Sequence, residues 1–165
     1  SLIDLSIGPC EVNDATFLLL AKRCSLLQSI TLSEMELNNT RVEALCSHCK
    51  YLNSIILYDC TGVSDWTVSI IAQHSPNLVS LNMSCTGKCL FTDTAIMNLT
   101  HGCPKLQYLE IGNNCHFTRK SLDIIAGSVD AFQSLCRLCL LGVKSTVSVT
   151  ELEKFQLRFP HIVIG

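Results

Sequence analysis

Apolar residues recur along this chain in one spacing, L-x-x-L-x-L, each time followed by a polar stretch and then by apolar residues three and four apart. The signature stands at Leu2-Leu5-Ile7, Leu27-Ile30-Leu32, Leu52-Ile55-Leu57, Leu78-Leu81-Met83, Leu106-Leu109-Ile111 and Leu135-Leu138-Leu140. Phe159-Ile162-Ile164 reads as a worn seventh copy. Successive starts lie 24 to 29 residues apart. Residues two apart share one face of a strand, so the second and third positions of each signature predict a strand with one buried face. The later three-and-four spacing (Phe17, Leu20, Ala21; Val42, Leu45, Cys46; Val68, Ile71, Ala72; Ile96, Leu99; Leu122, Ile125, Ala126) predicts a helix with one apolar stripe. Strand, loop, helix and return loop repeated at this period stack into a solenoid, and a solenoid offers a long concave surface to a partner.

The punctuation agrees. Ser64, Thr92 and Thr118 precede helical patterns and are good N-caps, because a hydroxyl accepts a hydrogen bond from an orphan backbone N–H. Asp65 and Asp93 follow at the positive end of the helix dipole. Thr150-Glu151-Leu152-Glu153 reads as a capping box. Pro76 and Pro104 end helices and turn the chain back. Nothing in the chain is low in complexity or linker-like, so residues 1–165 are expected to form a single domain. An open solenoid end exposes apolar side chains, which makes this stretch the expected C-terminal part of a longer protein.

Cysteines extend the periodicity. Cys10 and Cys60 lie eight residues after the first leucine of their units, Cys24 and Cys49 close the first two helices, and Cys103 closes the fourth. With these positions the chain resembles the cysteine-containing leucine-rich repeats, L-x-x-L-x-L-x-x-C-x-x-[VI]-[TS]-D-x-x-[LV]-x-x-[LI]-A-x-x-C-P-x. Residues 52–77 match in Cys60, Val63, Ser64, Asp65, Val68, Ile71, Ala72 and Pro76, with Ser75 where the second cysteine would be. Residues 78–105 match in Thr92, Asp93, Cys103 and Pro104, with extra residues in the loop. After Leu135 the pattern fades, Val143 standing at Cys60's counterpart. The resemblance implies an α/β leucine-rich repeat solenoid of six to seven repeats, with a curved parallel sheet on the concave side and helices on the convex side. Such repeats are typical of leucine-rich-repeat F-box proteins, the substrate receptors of Skp1–cullin–F-box ubiquitin ligases. They also occur in antagonist-of-mitotic-exit-network-like proteins, a ciliary dynein-regulatory subunit and mitochondrial assembly factors. No segment resembles an F-box, so Skp1 and cullin would be met only through a region absent here. The implied function is protein recognition; a cysteine-ligated metal or redox sensor, or a non-ligase assembly or scaffold factor, is the alternative.

Composition narrows the classes. A net charge of −2 and a pI near 6.2 provide no general attraction for phosphate backbones, which argues against nucleic acid as partner. The longest apolar run, Phe17 to Ala21, is far too short to span a membrane, and no basic-then-apolar signal opens the chain. Eleven cysteines would suit a secreted disulfide framework, but such frameworks replace a core that this chain, 48% hydrophobic, does not lack. Reduced thiols in an intracellular setting, cytoplasmic or nuclear, are the expectation. The sequons at Asn38, Asn82 and Asn98 are read as coincidence, since Asn82 falls in a strand and Asn98 in a helix.

Residues that alternate with the core leucines face outward on the concave side. Most are small (Ser29, Thr31, Ser54, Ser80), but Ile56, Tyr58, Asn82, Tyr108, Glu110, Arg137 and Leu141 offer area or charge and are the candidate protein-binding residues. The loops 84–91 and 112–117 are the next candidates. For metal, Cys46-x-x-Cys49 and Cys136-x-x-Cys139 have helix and strand spacings that do not converge, and the weak candidate is Cys85, Cys89, Cys115 and His116 on adjacent loops. No phosphate loop, H-E-x-x-H or G-x-S-x-G is present, so neither cofactor nor enzymatic activity is expected.

Overall fold

In the computed structural model, residues 2–84, 91–112, 116–128, 134–140, 147–160 and 162–164 are described. Seven strands alternate with six helices among them: β1 (Asp4–Ile7), α1 (Asp14–Arg23), β2 (Ser29–Ser33), α2 (Asn39–His48), β3 (Ser54–Tyr58), α3 (Asp65–His74), β4 (Ser80–Ser84), α4 (Asp93–Gly102), β5 (Tyr108–Gly112), α5 (Arg119–Gly127), β6 (Arg137–Leu140), α6 (Val149–Arg158) and β7 (Val163–Ile164). The strands form one parallel sheet in chain order, and each helix lies beside the next. Register holds the signature in phase: Leu5 pairs with Ile30, Ile30 with Ile55, Ile55 with Leu81, Leu81 with Leu109, and Leu109 with Leu138. One face of the sheet therefore becomes a continuous apolar wall against which the helices pack.

Helices of ten residues are marginal alone. Burial holds these in place, at about 1.5–3 kcal/mol for each fully buried Leu, Ile, Val or Phe. A second apolar column stands one residue before the N-caps of α2 to α6: Leu37, Val63, Phe91, Phe117 and Val147, all buried. The α3–α4 contact is close because Gly102 has no side chain, and a Cβ there would overlap the backbone carbonyl and Cβ of Ala72.

Three hydrogen-bond ladders bind one repeat to the next. At strand entry the carbonyls of Ile3, Gln28, Asn53, Val79 and Gln107 each accept two successive N–H groups from the following repeat. At the helix C-termini the cysteines act as donors: Cys49 Sγ reaches Ala21 O at 3.6 Å and Cys24 O at 3.5 Å, and Cys103 Sγ reaches Ser75 O at 3.7 Å. Cys60 Sγ does the same after β3, to Leu32 O at 3.3 Å. At the helix N-termini the aspartates cap the next repeat: Asp65 accepts from Thr92 N and Oγ1 at 2.8 and 2.6 Å, and Asp93 accepts from Thr118 N and Oγ1 at 2.9 and 2.6 Å and from Ser121 Oγ. The Thr/Ser–Asp pair thus serves two repeats at once, and dipole complementarity is only part of its role. Arg119 stands in the aspartate's place in α5 and continues the ladder as an ion pair with Glu151 at 3.0 Å.

Partial burial works against the Asp93 charge, but the hydrogen bonds from Ser121 and Thr118 prevail and hold its carboxyl below the ordinary 3.8. A carboxylate depressed in the folded state stabilises fully above its unfolded value and loses that contribution as pH falls through the folded one. Asp93→Asn is therefore expected to flatten the loss of stability below about pH 4. Urea midpoints across that range check it, and unchanged curvature would contradict the ladder.

Ser75 closes α3 where cysteine closes α1, α2 and α4. Its buried hydroxyl lies near the Cys46 thiol but makes no hydrogen bond among the described residues. An unsatisfied buried hydroxyl costs about 1–3 kcal/mol, so Ser75→Cys is expected to raise stability by about 1 kcal/mol in chemical denaturation.

Two sequence expectations shift. The capping box of α6 is Ser148 with Glu151, not Thr150 with Glu153: Val147 fills the apolar slot before the cap, and Glu151 reaches Ser148 N at 3.0 Å and Oγ at 2.8 Å. The seventh copy does not run Phe159-Ile162-Ile164: Ile164, not Ile162, pairs with Leu138. Phe159 is the C-cap of α6, and Ile162 N donates to Phe159 O as Leu27 N does to Cys24 O. Phe159 occupies the cysteine's place, its ring against Phe155 at 4.9 Å.

Candidate functional site

The sheet face opposite the core carries the outward side chains in rows set by the register. One row runs Asp4, Ser29, Ser54, Ser80, Tyr108, Arg137, and the next runs Ser6, Thr31, Ile56, Asn82, Glu110, Cys139. Ser33 and Tyr58 form the start of a third. Across β1 to β4 the first row is thus a floor of short side chains, and at β5 and β6 it rises to Tyr108 and Arg137. Neighbouring strands lie about 4.8 Å apart, which makes Tyr108 and Arg137 side-by-side neighbours.

Each candidate can now be placed. Tyr58 is 47% exposed, Tyr108 48%, and Arg137 is exposed, while Ile56, Asn82 and Glu110 are half-buried on the same face. Ser84 links two of them: its N–H donates to Asn82 Oδ1 at 2.9 Å and its hydroxyl to Glu110 Oε1 at 2.7 Å. Between β4 and β6 these residues line a dent of about 170 Å³, with Ser80, Asn82, Tyr108, Glu110 and Arg137 around it. Arg137 makes no ion pair among the described residues. Cys139 shares this face yet is 8% exposed, so it fills space instead of offering contact. Leu141 lies outside the described residues, as do the loop positions 85–90 and 113–115.

Sequence reasoning passed over Trp66. It is 62% exposed on α3, on the helical side, at the second helical position where Thr40 and Thr94 stand in neighbouring repeats. The signal was available: the residue after the ladder aspartate lies outside the apolar stripe.

Of the proposed metal ligands, Cys85, Cys89 and Cys115 lie outside the described residues, and His116 is exposed with its N–H bonded to Phe91 O at 2.8 Å. Among the described residues no three His, Cys, Asp or Glu side chains converge. Burial pushes the Cys46 and Cys49 thiols up to about 11 and the Cys103 thiol up to about 12, and raises that of Cys60. At neutral pH these thiols are protonated, and Cys49, Cys60 and Cys103 donate to carbonyls, whereas metal binding and thiol chemistry need the thiolate. No described helix is long and apolar enough to cross a membrane.

No family model matches the chain. Among curated proteins it is similar to Coronatine-insensitive protein 1 of Arabidopsis thaliana, 30% identical over 131 residues. The match covers 79% of this chain but 20% of that protein, so the chain spans about one fifth of the length of its relative. Strand–helix units in one parallel sheet, signature leucines in register across it, and this similarity together make the chain a leucine-rich repeat solenoid.

Proposed function

We propose that this solenoid is a protein-recognition module, the substrate-reading repeats of an F-box-type receptor of a Skp1–cullin–F-box ubiquitin ligase, and that the partner lies on the open face of the sheet. The observation that carries the reading is the set of outward side chains on that face. That face sets the exposed rings of Tyr58 and Tyr108, and Arg137 with no ion pair among the described residues, around short side chains, and Tyr and Arg dominate interface hot spots. Support for the receptor class comes from the relative, a leucine-rich repeat F-box protein, and remains an analogy of architecture. The module carries out no reaction itself: it binds, and Skp1 and cullin are engaged by another part of the polypeptide. An intracellular location, cytoplasmic or nuclear, belongs to the same proposal.

The test is co-purification from cells. The complete cellular polypeptide bearing this chain should recover Skp1 and a cullin, while residues 1–165 alone should not. Both should share further proteins, the candidate substrates. Recovery of neither ligase component would turn the reading to a non-ligase assembly or scaffold factor. A cysteine-ligated sensor finds less support, because three of the five described buried thiols, Cys49, Cys60 and Cys103, donate to carbonyls of the preceding repeat.

A further inference from the structure

We infer that the dent across β4–β6 is a subsite for the carboxylate side chain of an Asp or Glu in the partner protein, held by Arg137 beside the ring of Tyr108. The inference rests on the open-face reading and names the chemistry that face selects.

The unspent hydrogen-bonding groups define the ligand. Arg137 presents a planar guanidinium with no ion-pair partner among the described residues, and a carboxylate matches that fork bidentately. Ser84 fixes one oxygen of Asn82 and one of Glu110. The Asn82 amide NH₂ and the second Glu110 oxygen then have no partner among the described residues, a donor and an acceptor on one side of the arginine. A peptide segment supplies the complement, its backbone C=O to Asn82, its N–H to Glu110 and its acidic side chain to Arg137. The volume, about 170 Å³, suits one short side chain.

Charge decides between the two common oxyanions. Among the described residues that line the dent, Arg137 and Glu110 are the two charged groups, and their charges cancel. Phosphate recognition gathers several arginines around a dianion, whereas here a dianion would face Glu110 with a single cation. A monoanionic carboxylate pairs with Arg137 and brings about half that charge up to Glu110, so the repulsion it meets is about half as large. Tyr108, on the neighbouring strand, contributes apolar area beside the ion pair and keeps part of it from water.

Random-peptide display against the 165-residue chain tests this, run in parallel with Arg137→Gln and Arg137→Glu. Both substitutions fall on an exposed side chain and are expected to leave the fold intact, which far-UV circular dichroism and the melting temperature verify. Selections on the native chain should converge on peptides with Asp or Glu at one fixed position. Arg137→Gln should lose that preference and Arg137→Glu should invert it to Lys or Arg. In fluorescence anisotropy, replacing the acidic residue of a selected peptide by Gln should weaken binding about tenfold or more on the native chain and have little effect on Arg137→Gln. Failure to select peptides, selection without an acidic position, or the same peptides on Arg137→Glu would overturn the inference. So would a phosphoserine version binding tenfold tighter than the Glu version. These results would leave Skp1 and cullin co-purification untouched, so failure of the subsite and failure of the receptor reading are separable.

Discussion

Phe91→Ala is expected to lower the unfolding free energy by about 3–5 kcal/mol, the cost of an aromatic truncation in a core that cannot collapse. Phe91 is fully buried in the column that precedes the N-caps of α2 to α6, with Val63 and Phe117 at the same place in adjacent repeats. Two features fix the cavity open. The Phe91 carbonyl is held by His116 N, and the neighbouring Thr92 is held by both oxygens of Asp65. The backbone around the missing ring is thus pinned to the repeats on both sides. Because each repeat contacts chiefly its neighbours, the loss should spread to α3–β4 and α4–β5 before it reaches α1 or α6. Urea denaturation gives the magnitude and amide exchange the spread. The comparison is Val149→Ala, 70% exposed, expected within about 0.5 kcal/mol of the parent. A loss below about 1 kcal/mol for Phe91→Ala would contradict the apolar column.

Gly62→Ala is expected to cost about 2–4 kcal/mol, from two sources that act together. Gly62 has φ 78°, in the left-handed region that an alanine occupies only at about 1–2 kcal/mol. A Cβ there would also overlap the Leu37 carbonyl oxygen, because the loop after β3 is laced to the loop after β2: Leu37 N donates to Thr61 O and Thr61 N to Met35 O, each at 2.9 Å. Relief requires moving backbone that four groups hold, which is why the effect exceeds that of an exposed turn glycine. Gly8 provides the contrast, since a Cβ there meets nothing within 4 Å. Equal melting temperatures for Gly62→Ala and Gly8→Ala would refute this loop geometry.

The strand register was legible because a one-residue slip would turn every signature leucine out of the core, and the pattern tolerates no such slip. Helix starts at Ser64, Thr92 and Thr118 were legible for a local reason, the need for a hydroxyl acceptor. The shared role of Asp65 and Asp93 was not, because it joins residues 25 to 28 apart and becomes visible only when repeats are stacked. The last repeat misled for the same kind of reason. Apolarity alone cannot distinguish Phe159 at a helix C-cap from a first leucine, and the Ile162-to-Phe159 hydrogen bond is what separates them. For the open face, alternation placed Ile56, Tyr58, Asn82, Tyr108, Glu110 and Arg137 correctly on one side of the sheet. It could not show that Ser84 ties Asn82 to Glu110 or that Cys139 is closed off from solvent, since both depend on side-chain packing across strands.

Whether the open face of the sheet binds the protein partner is decided by one comparison. A partner recovered on the native chain is titrated against Tyr58→Ala, Tyr108→Ala and Arg137→Ala together, and against Trp66→Ala on the helical side. All of these residues are exposed, so both variants should melt close to the parent. Hot-spot truncations of this kind cost at least about 1–2 kcal/mol, so the open-face variant should bind about tenfold or more weakly while Trp66→Ala binds as the parent does. Native-like binding by the open-face variant, with loss on Trp66→Ala, would place the partner on the helices and contradict the account.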